Sequence, residues 1–132
     1  MNYWLVKTEP STYCWDDLRK KGTDTWDGIR NFQARNYLKQ MKIGDGVLVY
    51  HSGQDKSIQG LAEVLEEAFD DPQDAAWVAV RLKALRPLTR PVPLSAIQAQ
   101  PKLSQISLLK QSRLSVHALS QDEGELLLEM GS

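Results

Sequence analysis

The sequence predicts an α+β domain: a small, mostly antiparallel β-barrel with peripheral helices. Three observations carry this. A short apolar strand, YWLVK, opens the chain at residues 3–7, and a second, Val47 to His51, follows the turn Gly44-Asp45-Gly46. Two longer strand-like stretches, 58–68 and 76–86, flank the turn signal Asp70-Asp71-Pro72. Short helical patterns fill the intervals and the C-terminal part, so strands lie towards both ends with helices tucked between them.

Each element has a local cause. The first strand runs into the turn Glu9-Pro10-Ser11, and Asp16 or Asp17 opens a short helix that stops at Gly22. Trp26 precedes the turn-forming pair Asp27-Gly28. Asn31 then stands at an N-cap position, and a helical pattern runs to Met41 before Gly44 stops it. Within that helix Ala34, Tyr37, Leu38 and Met41 share one face, while Arg35, Lys39 and Lys42 share another. Ile58, Gly60, Ala62 and Val64 share a face of one long strand, and Val78, Val80, Leu82 and Ala84 a face of the other. Pro87, Pro91 and Pro93 end the strand region. Helical pieces follow at Leu94–Gln100, Ser104–Leu109 and Ser120–Met130, with a brief strand at Leu114–His117.

Composition narrows the class. A chain of 132 residues, 42% hydrophobic and 25% charged, reads as one globular domain, residues 1–132, with a core that needs no staples. No apolar run could span a bilayer, the opening residues lack the pattern of a signal peptide, and no membrane partner is expected. Cys14 stands alone, which excludes an internal disulfide framework and suits a reducing cytosol; a cytoplasmic location is expected. One Cys with His51 and His117 makes no metal site, and no cofactor is expected. Net charge is −1, yet Lys and Arg gather in 18–42 and 75–118 and acids in 61–74. Such segregation can build a basic face on a neutral protein. Nothing in the sequence sets an oligomeric state.

The candidate site residues are flat or planar. Trp26 stands beside Arg30, Asn31 and Arg35, equipment for holding a flat heterocycle such as a base. A core indole followed by an amphipathic helix accounts for the same residues. Lys7 and Thr8 end the first strand, where side chains and backbone face a barrel mouth and can bond a base edge or a phosphate. Glu9 can accept from an exocyclic amine or pair with Arg30 or Arg35. Asn31 serves as a helix cap first and a base contact second. Tyr50, His51 and Ser52 end a buried strand and read as a pocket rim, with Tyr50 as a second aromatic wall. Trp4, Trp15 and Trp77 are assigned to packing, and Arg113 to an ion pair with the acidic segment. Catalysis finds no support. Adjacent His51 and Ser52 diverge on a strand, Gly44-Asp45-Gly46 lacks the Lys of a phosphate loop, and Cys14 has no activating partner.

The runs YWLVKTEP, WDGIRNFQARNYLKQMKIGD, VLVYHS, IQGLAEV and LKQSRLSV, in that order along almost the whole chain, resemble the EVE domain of the PUA-like superfamily. KTEP and WDGxRNxQARN are long enough to be specific. The resemblance implies a PUA-like barrel and a non-enzymatic reader of DNA or RNA that carries a modified base, methylated or hydroxymethylated. Two positions depart from the family pattern. Gly124 follows Glu123 where an acidic residue and a tryptophan usually pair, and the loop Gly53 to Ser57 lacks a common proline.

The expected mechanism combines both readings. A flipped-out or single-stranded base enters the barrel mouth. Trp26, with Tyr50, sandwiches it; Lys7, Thr8, Glu9, Asn31, His51 and Ser52 read its edge; Arg30, Arg35 and Lys39 hold flanking phosphate. The segments 7–9, 26–31 and 50–52 are expected around one cavity, with Gly28 letting the backbone approach closely. Three other classes stay open: a sensor of a free nucleobase or nucleoside, an enzyme acting on such a base, and an interaction domain without a pocket.

Overall fold

A computed structural model of the chain describes residues 2–132. The order is β1 (Tyr3–Thr8), α1 (Trp15–Lys21), β2 (Thr23–Trp26), α2 (Phe32–Gln40), β3 (Gly46–His51), β4 (Ser57–Asp71), β5 (Asp74–Pro93), α3 (Leu94–Ala99), a 3-10 turn (Pro101–Leu103), α4 (Ser107–Lys110), β6 (Val116–Leu119) and α5 (Gln121–Met130). The strands form one sheet in the order β2-β5-β4-β3-β1-β6. Only the β1–β3 pair is parallel. The sheet is mostly antiparallel, as expected, but it is open. β2 and β6 are edges, so the expected α+β architecture is present as a mixed, unclosed sheet with helices on both sides, and only loosely as a barrel. Helices cover the faces that closure would otherwise have to bury.

Burial shows why β1 and β3 read as continuous apolar runs. Along β1, Trp4 and Val6 pack into one cluster and Leu5 into another. Along β3, Val47 and Val49 join the first and Leu48 and Tyr50 the second. The first face is closed by Trp15 and Leu18 of α1 and by Ala34, Leu38 and Met41 of the α2 segment. The opposite face is closed by Ile97, Leu103, Ile106, Leu108 and Leu127 from the C-terminal helical pieces.

The helix expected after Asn31 is present. The Asn31 side chain accepts from the Ala34 N–H at 2.9 Å, which satisfies a donor that the first turn leaves free. Helix α1 starts one residue before the expected acids, with Cys14 at the N-cap position. The Asp17 carboxylate reaches back to the Cys14 N–H at 2.9 Å, so the acid serves as the third helical residue rather than the cap.

Three strand expectations change. β2 was not anticipated as a strand; it pairs with Val80–Lys83 of β5. Ile58 packs on the opposite face from Ala62 and Val64, because register shifts near Gly60 flip the strand's alternation. β5 continues through Pro87 and Pro91 to Pro93. Beyond Lys83 it has no β2 neighbour, so the missing proline N–H groups break no ladder on that side. Gly124 is buried on α5. A Cβ there would lie 2.2 Å from the Tyr3 ring, so in this chain Tyr3 occupies the room a larger residue would need.

Candidate nucleic-acid interface

One cleft, about 620 Å³, opens where β1 ends and β2 gives way to α2. Lys7, Thr8 and Glu9 line it on one side, and Trp26, Asp27, Gly28, Ile29 and Arg30 on the other. Thr12, Tyr13, Lys21, Asp24, Thr25 and Ser115 complete the wall. Two of the three segments expected to meet therefore do so.

The wall is built from fixed parts. Backbone N–H groups of Thr12 and Tyr13 donate to the Glu9 carbonyl at 2.9 Å each, and the Thr8 hydroxyl donates to the Tyr13 carbonyl at 2.6 Å. This turn holds the Tyr13 ring edge-on to Trp26, with centroids 5.9 Å apart. The Tyr13 hydroxyl donates to Asp24 at 2.5 Å. Burial and that carboxylate push the phenol well above its usual range, so it stays neutral and donating. Glu9 accepts from the Ser11 hydroxyl at 2.6 Å; it pairs with neither Arg30 nor Arg35.

The loop from Trp26 to Arg30 is tethered by a residue that sequence reasoning passed over. Asp71, at the tip of the β4–β5 hairpin, is buried. It accepts from the Gly28 N–H at 2.9 Å, from the Arg30 guanidinium at 3.0 Å and from the Gln73 N–H at 2.8 Å. Burial alone would raise this carboxyl, but Arg30 and the two N–H groups outweigh it and hold the group at about 2. Gly28 has φ +79°, and nothing lies within 4 Å of where its Cβ would be. Its lack of a side chain serves the left-handed turn, not a close approach to the cleft.

The sequence pattern of the EVE domain matches residues 2–130. The chain belongs to the EVE domain family. Mouse thymocyte nuclear protein 1 is 30% identical over 98% of this chain and 73% of its own length. A solution structure of a Rhodopseudomonas palustris protein is 43% identical, with a TM-score of 0.94 over 99% of this chain and 93% of that one. The human THYN1 protein, solved in complex with 5-methylcytosine-containing DNA, is 27% identical, with a TM-score of 0.93 over 100% of this chain and 98% of that one.

In this EVE domain the other expected residues stand outside the cleft. Tyr50 is buried on the opposite face of the sheet. It is not the second aromatic wall, because alternation along β3 turns it away; Tyr13 lies against Trp26 instead. His51 accepts at Nε2 from the Trp15 N–H at 2.9 Å, so it serves the start of α1. Its burial lowers its pKa, in keeping with an unprotonated acceptor. Ser52 donates its N–H to the Thr8 carbonyl at 2.9 Å, beside the cleft but not on its wall. Asn31 faces a neighbouring groove.

The cations expected on phosphate also divide. Arg30 is on the cleft wall. Arg35 donates to the Ala76 carbonyl at 3.2 Å and lies 4.8 Å from the Phe32 ring and 5.4 Å from the Trp77 ring. It ties α2 to β5. Lys39 is exposed in the last turn of α2 and lines no cleft described here. Arg113, expected in an ion pair, makes none among the described residues.

The cleft brings a largely buried indole, a phenol, carboxylates and a guanidinium into one small volume. That set matches a flat heterocycle with both donors and acceptors on its rim. Tyr13, Asp24 and Asp71 are the residues that sequence reasoning missed. A local signal existed only for Tyr13, an aromatic residue just after the Glu9-Pro10-Ser11 turn. Among the described residues no helix is long and apolar enough to cross a membrane, and no cluster of His, Cys, Asp and Glu could hold a metal.

Proposed function

We propose that this EVE domain binds DNA carrying a methylated cytosine and receives the modified base in the cleft between β1 and the Trp26–Arg30 loop. The observation that carries the reading is whole-chain similarity to the human THYN1 protein, which is in complex with 5-methylcytosine-containing DNA. The cleft supports it. Its volume of about 620 Å³ suits one nucleotide-sized ligand. Trp26 and Tyr13 supply apolar surface for the base and its methyl group. Thr8, Glu9 and Asp27 supply polar contacts to the edge, and Arg30 holds charge at the rim, while the Lys7 ammonium is taken by the Ser112 carbonyl. A base must leave its stack to enter, and stacking on aromatic rings returns about 1–3 kcal/mol per base.

The test is a binding titration of duplexes that differ only in one 5-methylcytosine. The wild type should prefer the modified duplex, and Trp26→Ala should lose the preference while a thermal melt confirms a folded protein. If Trp26→Ala unfolds, Trp26→Phe with Tyr13→Phe keeps two rings and probes the same wall. Equal binding of both duplexes by the wild type would overturn the reading. A preference for free 5-methylcytosine nucleoside with no salt dependence would replace it with a small-molecule sensor.

A further inference from the structure

A second depression adjoins the cleft. It is lined by Asn31, Gln33, Lys110, Gln111, Ser112, Arg113 and Leu114. The two share a wall, because Arg30 and Ser115 line the cleft while their chain neighbours Asn31 and Leu114 line the groove. A nucleotide in the cleft therefore has its chain neighbour within reach of the groove.

The groove's lining holds two cations, three amides and no acid. Arg113 is exposed and has neither an ion-pair partner nor a side-chain hydrogen bond among the described residues. The segment that carries it is held firmly. Lys7 Nζ donates to the Ser112 carbonyl at 2.8 Å, and the Lys7 N–H donates to the Ser115 carbonyl at 2.9 Å. Leu114 is buried beneath, and its carbonyl accepts from His117 Nε2 at 2.8 Å. Arg113 thus projects from a fixed rim, between two residues that β1 clamps in place. Lys110 is exposed in α4 and reaches Gln105 at 2.6 Å, which leaves its remaining donors free.

We propose that this groove is the backbone site of the interface: Lys110 and Arg113 take the phosphodiester next to the base in the cleft. This rests on the reading above for which base enters, but not for the charge of what lies beside it. It moves the phosphate contacts from Arg35 and Lys39 on α2 to the segment before β6. A phosphodiester fits because it presents charged oxygens to a guanidinium fork and an ammonium, while the amides of Asn31, Gln33 and Gln111 can bond sugar and phosphate oxygens.

The test is a salt titration of duplex binding by the wild type, Arg113→Gln, Lys110→Gln, the double variant and Lys39→Gln. Each lost phosphate contact flattens the slope of log affinity against log salt by about one unit, so the double variant should lose about two. Modified and unmodified duplexes should weaken by the same factor, because phosphate carries no base identity. Lys39→Gln should keep the wild-type slope. An unchanged slope in the double variant, or an equal change in Lys39→Gln, would overturn the proposal. A wild type without preference for 5-methylcytosine, whose slope still falls in the double variant, would remove the base reading and leave the groove standing. A wild type that binds neither duplex would remove both.

Discussion

The two faces of the sheet are built from different materials. The cleft face packs three indoles, Trp4, Trp15 and Trp26, with Tyr13 and Tyr37 at its margin. Polar partners serve this side too: Trp4 Nε1 donates to buried Asp45 at 3.0 Å, and Asp71 holds the Trp26–Arg30 loop. The opposite face is almost wholly aliphatic, from Leu5 and Leu48 to Ile97 and Leu127, with His117 as its one buried imidazole. Apolar packing is undirected, so the aliphatic face can stabilise the sheet without specifying any loop. Hydrogen-bonded carboxylates are directional, and they occur where a loop must hold one shape.

Removing a side chain from the aliphatic face gives the largest expected effect. Leu48 is fully buried, and Leu48→Ala should destabilise the protein by about 2–5 kcal/mol in a denaturant melt. The preference for modified DNA should persist at temperatures where the variant is folded. A lost preference in folded Leu48→Ala would mean that the two faces are not separable.

Acid should next find the polar flaw in the same face. His117 Nε2 donates to the Leu114 carbonyl, and Nδ1 accepts from the Ser107 hydroxyl, so the neutral ring is fully used. Burial first, and the Lys7 charge second, lower its pKa from the ordinary 6.5 to about 4. The native state then binds fewer protons than the unfolded chain. Its contribution is complete above pH 6.5 and is lost as pH falls towards 4, by at most about 3 kcal/mol. Melts across this window should show the loss, and His117→Gln should flatten it.

The smallest effect on stability should come from the cleft side, with the larger effect on binding. Asp71→Asn removes the charge that Arg30 and two N–H groups share, and should cost about 1–3 kcal/mol. Duplex binding should fall further than in Leu48→Ala, because the loop that carries Trp26 loses its tether. Equal binding by Asp71→Asn and the wild type would show that the loop is shaped without Asp71.

The legible parts of this protein were those with local causes. Helix α2 announces itself through the Asn31 cap and the Ala34, Leu38, Met41 stripe, all within a few turns. The face of Val78, Val80, Leu82 and Ala84 was readable because strand alternation is local too. β2 was not readable: Thr23 to Trp26 is a short, polar segment that becomes a strand only by pairing with Val80–Lys83. The prolines of β5 misled for the same reason, since an edge is defined by a neighbour that is missing. That Lys7, Thr8, Glu9, Trp26 and Arg30 line one cleft was legible from two separate motifs, KTEP and WDGxRNxQARN. Tyr50 was misassigned because a strand buried on both faces hides which way each residue points. Asp71 was hidden because its contacts to Gly28 and Arg30 join segments that lie far apart in the chain.

The placement of the four indoles has a practical consequence. Trp4, Trp15 and Trp26 are 3%, 4% and 7% exposed, whereas Trp77 is half-buried against Phe32 and Arg35. An aqueous fluorescence quencher should therefore reach Trp77 first and leave the other three emitting. Of those three, only Trp26 borders the cleft. In a Trp77→Phe background, a change of emission on adding an oligonucleotide would report occupancy of that cleft directly, without a label on either molecule.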